Sequence, residues 1–206
     1  MTRKLLLTIA GLVVVALGYS YLSYSKPLKL GPNSSSQQQA NISSIVNPTR
    51  AAKFDYLSQN GNSSCSASFK DSIVSMPDDS RLRGSCCSPM SPHRYSEQVE
   101  GLKKFKTIDG QNIAEIPDDP YDIEAGLAQK LMSYYDMELT PNDQKAYDYA
   151  MENSSEKGPC CCKCWRWYVY GGLAKYLIRD YKFTGEQITE LWNLSDGCGG
   201  DEEHQH

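Results

Sequence analysis

Four of the chain's eight cysteines lie within five residues, Cys160, Cys161, Cys162 and Cys164, between the turn Gly158-Pro159 and an apolar run that begins at Trp165. A disulfide requires Cα atoms about 4.4–6.8 Å apart with side chains turned toward each other, a geometry that neighbouring cysteines reach only with strain. Thiols crowded in this way suit two outcomes: joint ligation of a thiophilic metal, or bridging to cysteines elsewhere. Metal ligation is the preferred reading. The alternative is a disulfide framework, since an even cysteine count outside the cytosol commonly means bridges. In that alternative Cys65, Cys86, Cys87 and Cys198 each pair with one member of the run.

A second soft-donor set stands at Cys86-Cys87-Ser88-Pro89-Met90-Ser91-Pro92-His93. Two thiols, a thioether and an imidazole in so short a segment match the ligands that select Cu(I). The primary candidate ligands are therefore Cys160, Cys161, Cys162, Cys164 and Cys198, with Cys86, Cys87, Met90 and His93 as a supporting or second site. Copper as Cu(I) is favoured, and zinc or another thiophilic metal is compatible with the same donors.

Other thiol chemistries fit less well. Cys161 and Cys164 have the C-x-x-C spacing of dithiol oxidoreductases, but the βαβ context of that motif is missing. Trp165 stands where a c-type haem would need histidine. Structural zinc calls for two separated cysteine pairs, and ferredoxin spacings do not match. With three histidines, two of them in the terminal tail, the chain is not read as an enzyme. Thiol–disulfide exchange is the one activity its residues suggest. The pairs Asp118-Asp119 and Glu202-Glu203 read as solvated residues, and the aromatics from Trp165 to Tyr176 as helix core and rim.

The elements that must position these thiols are mainly helical: a small bundle of about five helices. Ser91-Pro92, Asp119-Pro120 and Thr140-Pro141 each read as a cap followed by proline at the first helical position. The run at Cys160 is expected to open the fourth helix, where unpaired N–H groups and the dipole favour thiolate, helped by Lys163 and Arg166. Thr184-Gly185-Glu186-Gln187 is a capping-box pattern that opens the fifth. A short connection predicts antiparallel packing of the last two helices, which returns Cys198 to the run. Asp109-Gly110 between Ile108 and Ile113 predicts a hairpin turn.

Upstream, Thr2-Arg3-Lys4 precedes an uncharged apolar stretch, Leu5 to Leu22, at the short end of what spans a bilayer. Tyr19, Tyr21 and Tyr24 read as an interfacial belt, so residues 1–26 are expected to be an uncleaved signal anchor. Residues 27–60, rich in Ser, Gln and Asn, read as a flexible linker, residues 61–200 as the cysteine-rich domain and 201–206 as a polar tail. Sequons at Asn33, Asn41 and Asn62 favour a single-pass cell-membrane protein with this domain outside the cytoplasm. Residues 1–26 hold three of the 21 basic and none of the 25 acidic residues, which leaves the remainder at a formal charge of −7. Such a surface argues against nucleic acid or anionic lipid as a main partner and would concentrate cations instead.

Overall fold

The computed structural model describes residues 48–199 apart from residue 109. The expected anchor over 1–26, most of the linker and the terminal tail lie outside the described residues. Among those described, no helix is long and apolar enough to cross a membrane.

The elements run α1 (Pro48–Gln59), α2 (Ala67–Ile73), β1 (Arg81–Arg83), α3 (Pro92–Leu102) and a 3₁₀ turn at Lys103–Phe105. They continue with β2 (Thr107–Ile108), β3 (Gln111–Asn112), β4 (Asp122–Glu124), α4 (Ala125–Ser133), α5 (Pro141–Asn153), α6 (Trp165–Tyr181) and α7 (Gly185–Ser195). The mainly helical expectation holds, and the five expected helices are α3 to α7. Their caps follow the residue chemistry. Ser91 accepts from the Arg94 amide, Thr140 from the Asp143 amide, and Thr184 and Gln187 form the reciprocal capping box. The hairpin forms with Thr107 opposite Asn112, and Gly110 takes the positive φ of 78° that its turn requires.

Apart from the cysteine run, three features differ from expectation. The first is α1, which occupies residues assigned to the linker. Only Phe54 and Leu57 give it an apolar side, so it is held by tertiary contact: Leu57 is buried with Tyr95 and Tyr121, and Arg50 pairs with Glu100. The second is the start of α4. Asp119 does not cap a helix at Pro120. Its carboxylate accepts from the Tyr121 amide at 2.9 Å and from the Tyr95 hydroxyl at 2.7 Å, and is buried rather than solvated. The chain then extends as β4, antiparallel to β1 with Leu82 opposite Ile123, before turning helical at Ala125. Asn62, the third sequon, braces this ladder: its amide nitrogen donates to Arg81 O at 2.9 Å and its oxygen accepts from Arg83 N at 2.7 Å.

The third difference is helix packing. α6 lies chiefly on α4, and α7 chiefly on α5 and α3, so the last two helices are not each other's main partners. Glycine explains part of this. A Cβ on Gly172 would stand 1.9 Å from Leu131 O, so only glycine lets α6 approach the α4 backbone that closely. The core at this junction includes Leu131, Leu173, Leu177, Ile188, Leu191 and Trp192, all essentially without exposure. Each such side chain stabilises the fold by about 1.5–3 kcal/mol through burial.

Candidate metal centre

Four separate loops bring the cysteines together. Cys65 precedes α2, whose cap is Ser66. Cys86 and Cys87 lie between β1 and α3; Cys160, Cys161, Cys162 and Cys164 lie between α5 and α6; Cys198 follows α7. The second and fourth loops are stitched by backbone: Cys86 N donates to Gly197 O at 3.3 Å, and Ser88 N to Cys198 O at 2.8 Å. The Ser88 hydroxyl also donates to Cys198 O at 2.8 Å. Gly199, at a φ of 77°, is required here because a Cβ would meet Ser88 O at 2.3 Å. In the third loop, Gly158 N donates to the buried Ser154 hydroxyl at 2.8 Å, with the Trp167 ring lying against Gly158.

The run at Cys160 is not helical. α6 begins at Trp165 with Cys164 as its cap residue, and residues 160–163 form bends. This corrects the expectation of a helix starting at Cys160. Successive side chains in a helix are rotated by about 100°, which would fan Cys160, Cys161 and Cys162 around the axis. The bent loop instead turns the thiols inward to a common region.

All eight cysteines are free thiols, and their sulfurs form one connected group. Cys161 Sγ lies 2.7 Å from Cys198 Sγ, Cys160 Sγ 3.4 Å from Cys198 Sγ, and Cys160 Sγ 3.8 Å from Cys164 Sγ. On the other side Cys65 Sγ lies 2.9 Å from Cys87 Sγ, and Cys86 Sγ 3.8 Å from Cys87 Sγ. The halves meet where Cys87 Sγ stands 3.9 Å from Cys161 Sγ, and where Cys86 lies within 4.8 Å of both Cys164 and Cys198. Cys160, Cys164 and Cys198 are buried, Cys65, Cys86, Cys161 and Cys162 half-buried, and Cys87 exposed. The group therefore has a closed side in the core and an open side at Cys87.

The electrostatics are set by the thiols themselves and by one buried cation. Hydrogen bonds from Cys161, Cys164 and Cys198 hold the Cys160 thiol far below its usual range, and bonding to Cys160 pushes those three upward. Cys86 is lowered to about 6: a hydrogen bond with Cys160 opposes this, while bonds from Cys164 and Cys198 and the Arg166 charge outweigh it. Burial raises Cys65 and Cys87. Arg166 is wholly buried, donating to Pro120 O and, at 2.9 Å, to Gly84 O, with its guanidinium 4.5 Å from the Trp165 ring centre. Its Nε has no hydrogen-bond partner among the described residues. Burial alone would lower its pKa; electrostatic interaction with Tyr170, Cys86 and Cys160 keeps it raised. Gly197 makes room for this charge, since a Cβ there would sit 2.2 Å from Arg166 Cζ. A buried cation of this kind is stable only beside compensating negative charge.

Of the residues expected to ligate, Cys160, Cys161, Cys162, Cys164 and Cys198 come together, and Cys86 and Cys87 join the same group. Met90 packs against the cluster of Leu57, Tyr95 and Tyr121 beside α1. His93 is exposed on the first turn of α3, and among the described residues every metal-competent group of His, Cys, Asp or Glu consists of cysteines alone. Lys163 is exposed and lies over the Trp167 ring. Cys65 is the member that the metal reading of the sequence passed over; only the disulfide alternative brought it to the run. Its signal was the cap Ser66 beside it, which fixes the start of α2.

The fold and site together define a helical domain built around a polythiol centre. No known protein family, curated protein or solved structure matches this chain.

Proposed function

We propose that this chain is a membrane-anchored, extracytoplasmic binding protein for a soft metal ion, Cu(I) above others, serving its sequestration, delivery or resistance. The observation that supports this reading is the convergence of all eight thiols from four loops onto one group that, among the described residues, contains no carboxylate or imidazole. Thiolate-only donor sets select soft ions.

The grouping also favours Cu(I) over zinc. Every set of mutually close sulfurs, within 4.8 Å, is a triad. With a metal–sulfur bond of about 2.3 Å, a trigonal site spaces its sulfurs by about 4.0 Å and a tetrahedral site by about 3.8 Å. Trigonal sites need three sulfurs at such spacing and tetrahedral sites need four. Cu(I) accepts three thiolates, whereas structural zinc takes four ligands. The acidic charge of the chain beyond residue 26 adds a field that draws cations inward.

Metal analysis with a free-thiol count, on full-length protein purified without reductant, tests this. Stoichiometric copper with reduced cysteines is the expected result. Four disulfides without metal would overturn it, and the shortest contacts, Cys161–Cys198 and Cys65–Cys87, are the pairs oxidation would join first. An export reporter fused after Lys29 tests the orientation, and a cytoplasmic readout would contradict it.

A further inference from the structure

Resting on the Cu(I) reading above, we infer that the eight thiols hold several copper ions as one polynuclear cluster with bridging sulfurs, rather than a single ion beside spare cysteines. The triads are Cys65–Cys87–Cys162, Cys65–Cys86–Cys164, Cys86–Cys87–Cys198, Cys160–Cys161–Cys198 and Cys160–Cys162–Cys164. Seven of the eight sulfurs are corners of two triads, and Cys161 alone belongs to one. An ion centred in each triad would therefore share sulfurs with its neighbours at every step around the group. Two ions bound to one sulfur at about 2.3 Å each lie no further apart than about 4.6 Å.

Charge and enclosure fit the same arrangement. When all eight thiols ligate as thiolates, negative charge gathers in a region where Cys160, Cys164 and Cys198 are buried. Five monovalent ions offset most of that charge, and the buried Arg166 guanidinium offsets part of the remainder. Loading involves no electron transfer: Cu(I) enters as Cu(I), each thiol that ligates gives up its proton to solvent, and the metal stays in the same oxidation state.

The test is native mass spectrometry of the full-length reduced chain in detergent, titrated anaerobically with the Cu(I) acetonitrile complex, together with copper X-ray absorption. The expected result is five ions in the wild type, four in Cys161→Ser, which breaks one triad, and three in Cys160→Ser, which breaks two. X-ray absorption should show copper–copper scattering at less than about 4.6 Å. Two or more ions with that scattering support the cluster even if Cys160→Ser fails to fold, a point circular dichroism checks. A single ion per chain, no copper–copper scattering, or equal losses in the two folded variants would overturn it. One ion would leave the proposed function standing, whereas none would remove both.

Discussion

Two polar regions of the domain satisfy their buried groups in different ways. Behind α1, Asp119 accepts from Tyr95 and Tyr121 and pairs with Lys53 at 3.0 Å, while Asp122 pairs with Lys53 at 3.1 Å and Arg81 at 2.8 Å. Each charge there meets an opposite charge supplied by the chain. At the thiol centre the sulfurs meet mainly one another and backbone carbonyls, and the buried guanidinium beside them has an Nε without a hydrogen-bond partner among the described residues. The first region closes on itself and holds the fold. The second concentrates donors of one chemical kind and fits a bound cation, so mutations in the first region should lower stability without changing metal binding.

The largest effect should come from Arg166→Met. It removes the buried positive charge beside Cys86 and Cys160 and leaves Pro120 O and Gly84 O without their donors. Loss of one partner of a buried charge pair costs about 3–5 kcal/mol. Urea unfolding of the metal-free chain should show a destabilisation of that size, and Cu(I) affinity against a competing chelator should fall as well. A variant of unchanged stability would break the assignment of Arg166 as counter-charge.

Asp119→Ala should be smaller and confined to the first region. It strips the acceptor from the buried Tyr95 hydroxyl, a loss of about 1–3 kcal/mol. The number of Cu(I) ions bound should not change, and a parallel fall in both readouts would erase the contrast between the regions.

Acid acts on the same network. Burial raises the Asp122 carboxyl pKa, but hydrogen bonds from Arg81 and Lys53 outweigh this and hold it below its ordinary value of 3.8. A depressed folded-state pKa adds stability above the unfolded value, lost as pH falls through the folded one. Stability measured by denaturant should therefore decline below pH 3.8, with Asp122→Asn flattening that decline.

The smallest effects belong to the two expected ligands that are not cysteines, Met90 and His93. Met90→Leu is a swap of similar volume, worth less than about 1.5 kcal/mol. His93→Ala alters an exposed side chain and should be close to neutral. Neither should change copper stoichiometry, and loss of an ion in either variant would return that residue to the site.

Much of this was legible in the sequence. Caps at Ser91, Thr140 and Thr184 announce their helices because a side-chain oxygen satisfying an amide is a local event. The convergence of Cys198 with the run at Cys160 was also legible, although the route differs: α7 packs on α5 and α3, and the paired backbones of residues 86–88 and 197–198 set the sulfur. What stayed hidden depends on distant contacts. α1 has too little apolar surface to announce itself, and Pro120 leads into a strand because Asp119 has a partner on α3. The bent course of residues 160–163 runs beside the Cys86 and Cys198 loops, a placement that depends on distant contacts.

The central claim is that all eight thiols act as one metal-binding unit. Alkylation with iodoacetamide, read by intact mass before and after Cu(I) loading, tests it most directly. Eight adducts on the reduced metal-free chain under mild denaturation, and none on the folded copper-loaded chain, is the result this account predicts. A saturated copper form in which Cys65, Cys86 and Cys87 still alkylate freely would contradict it.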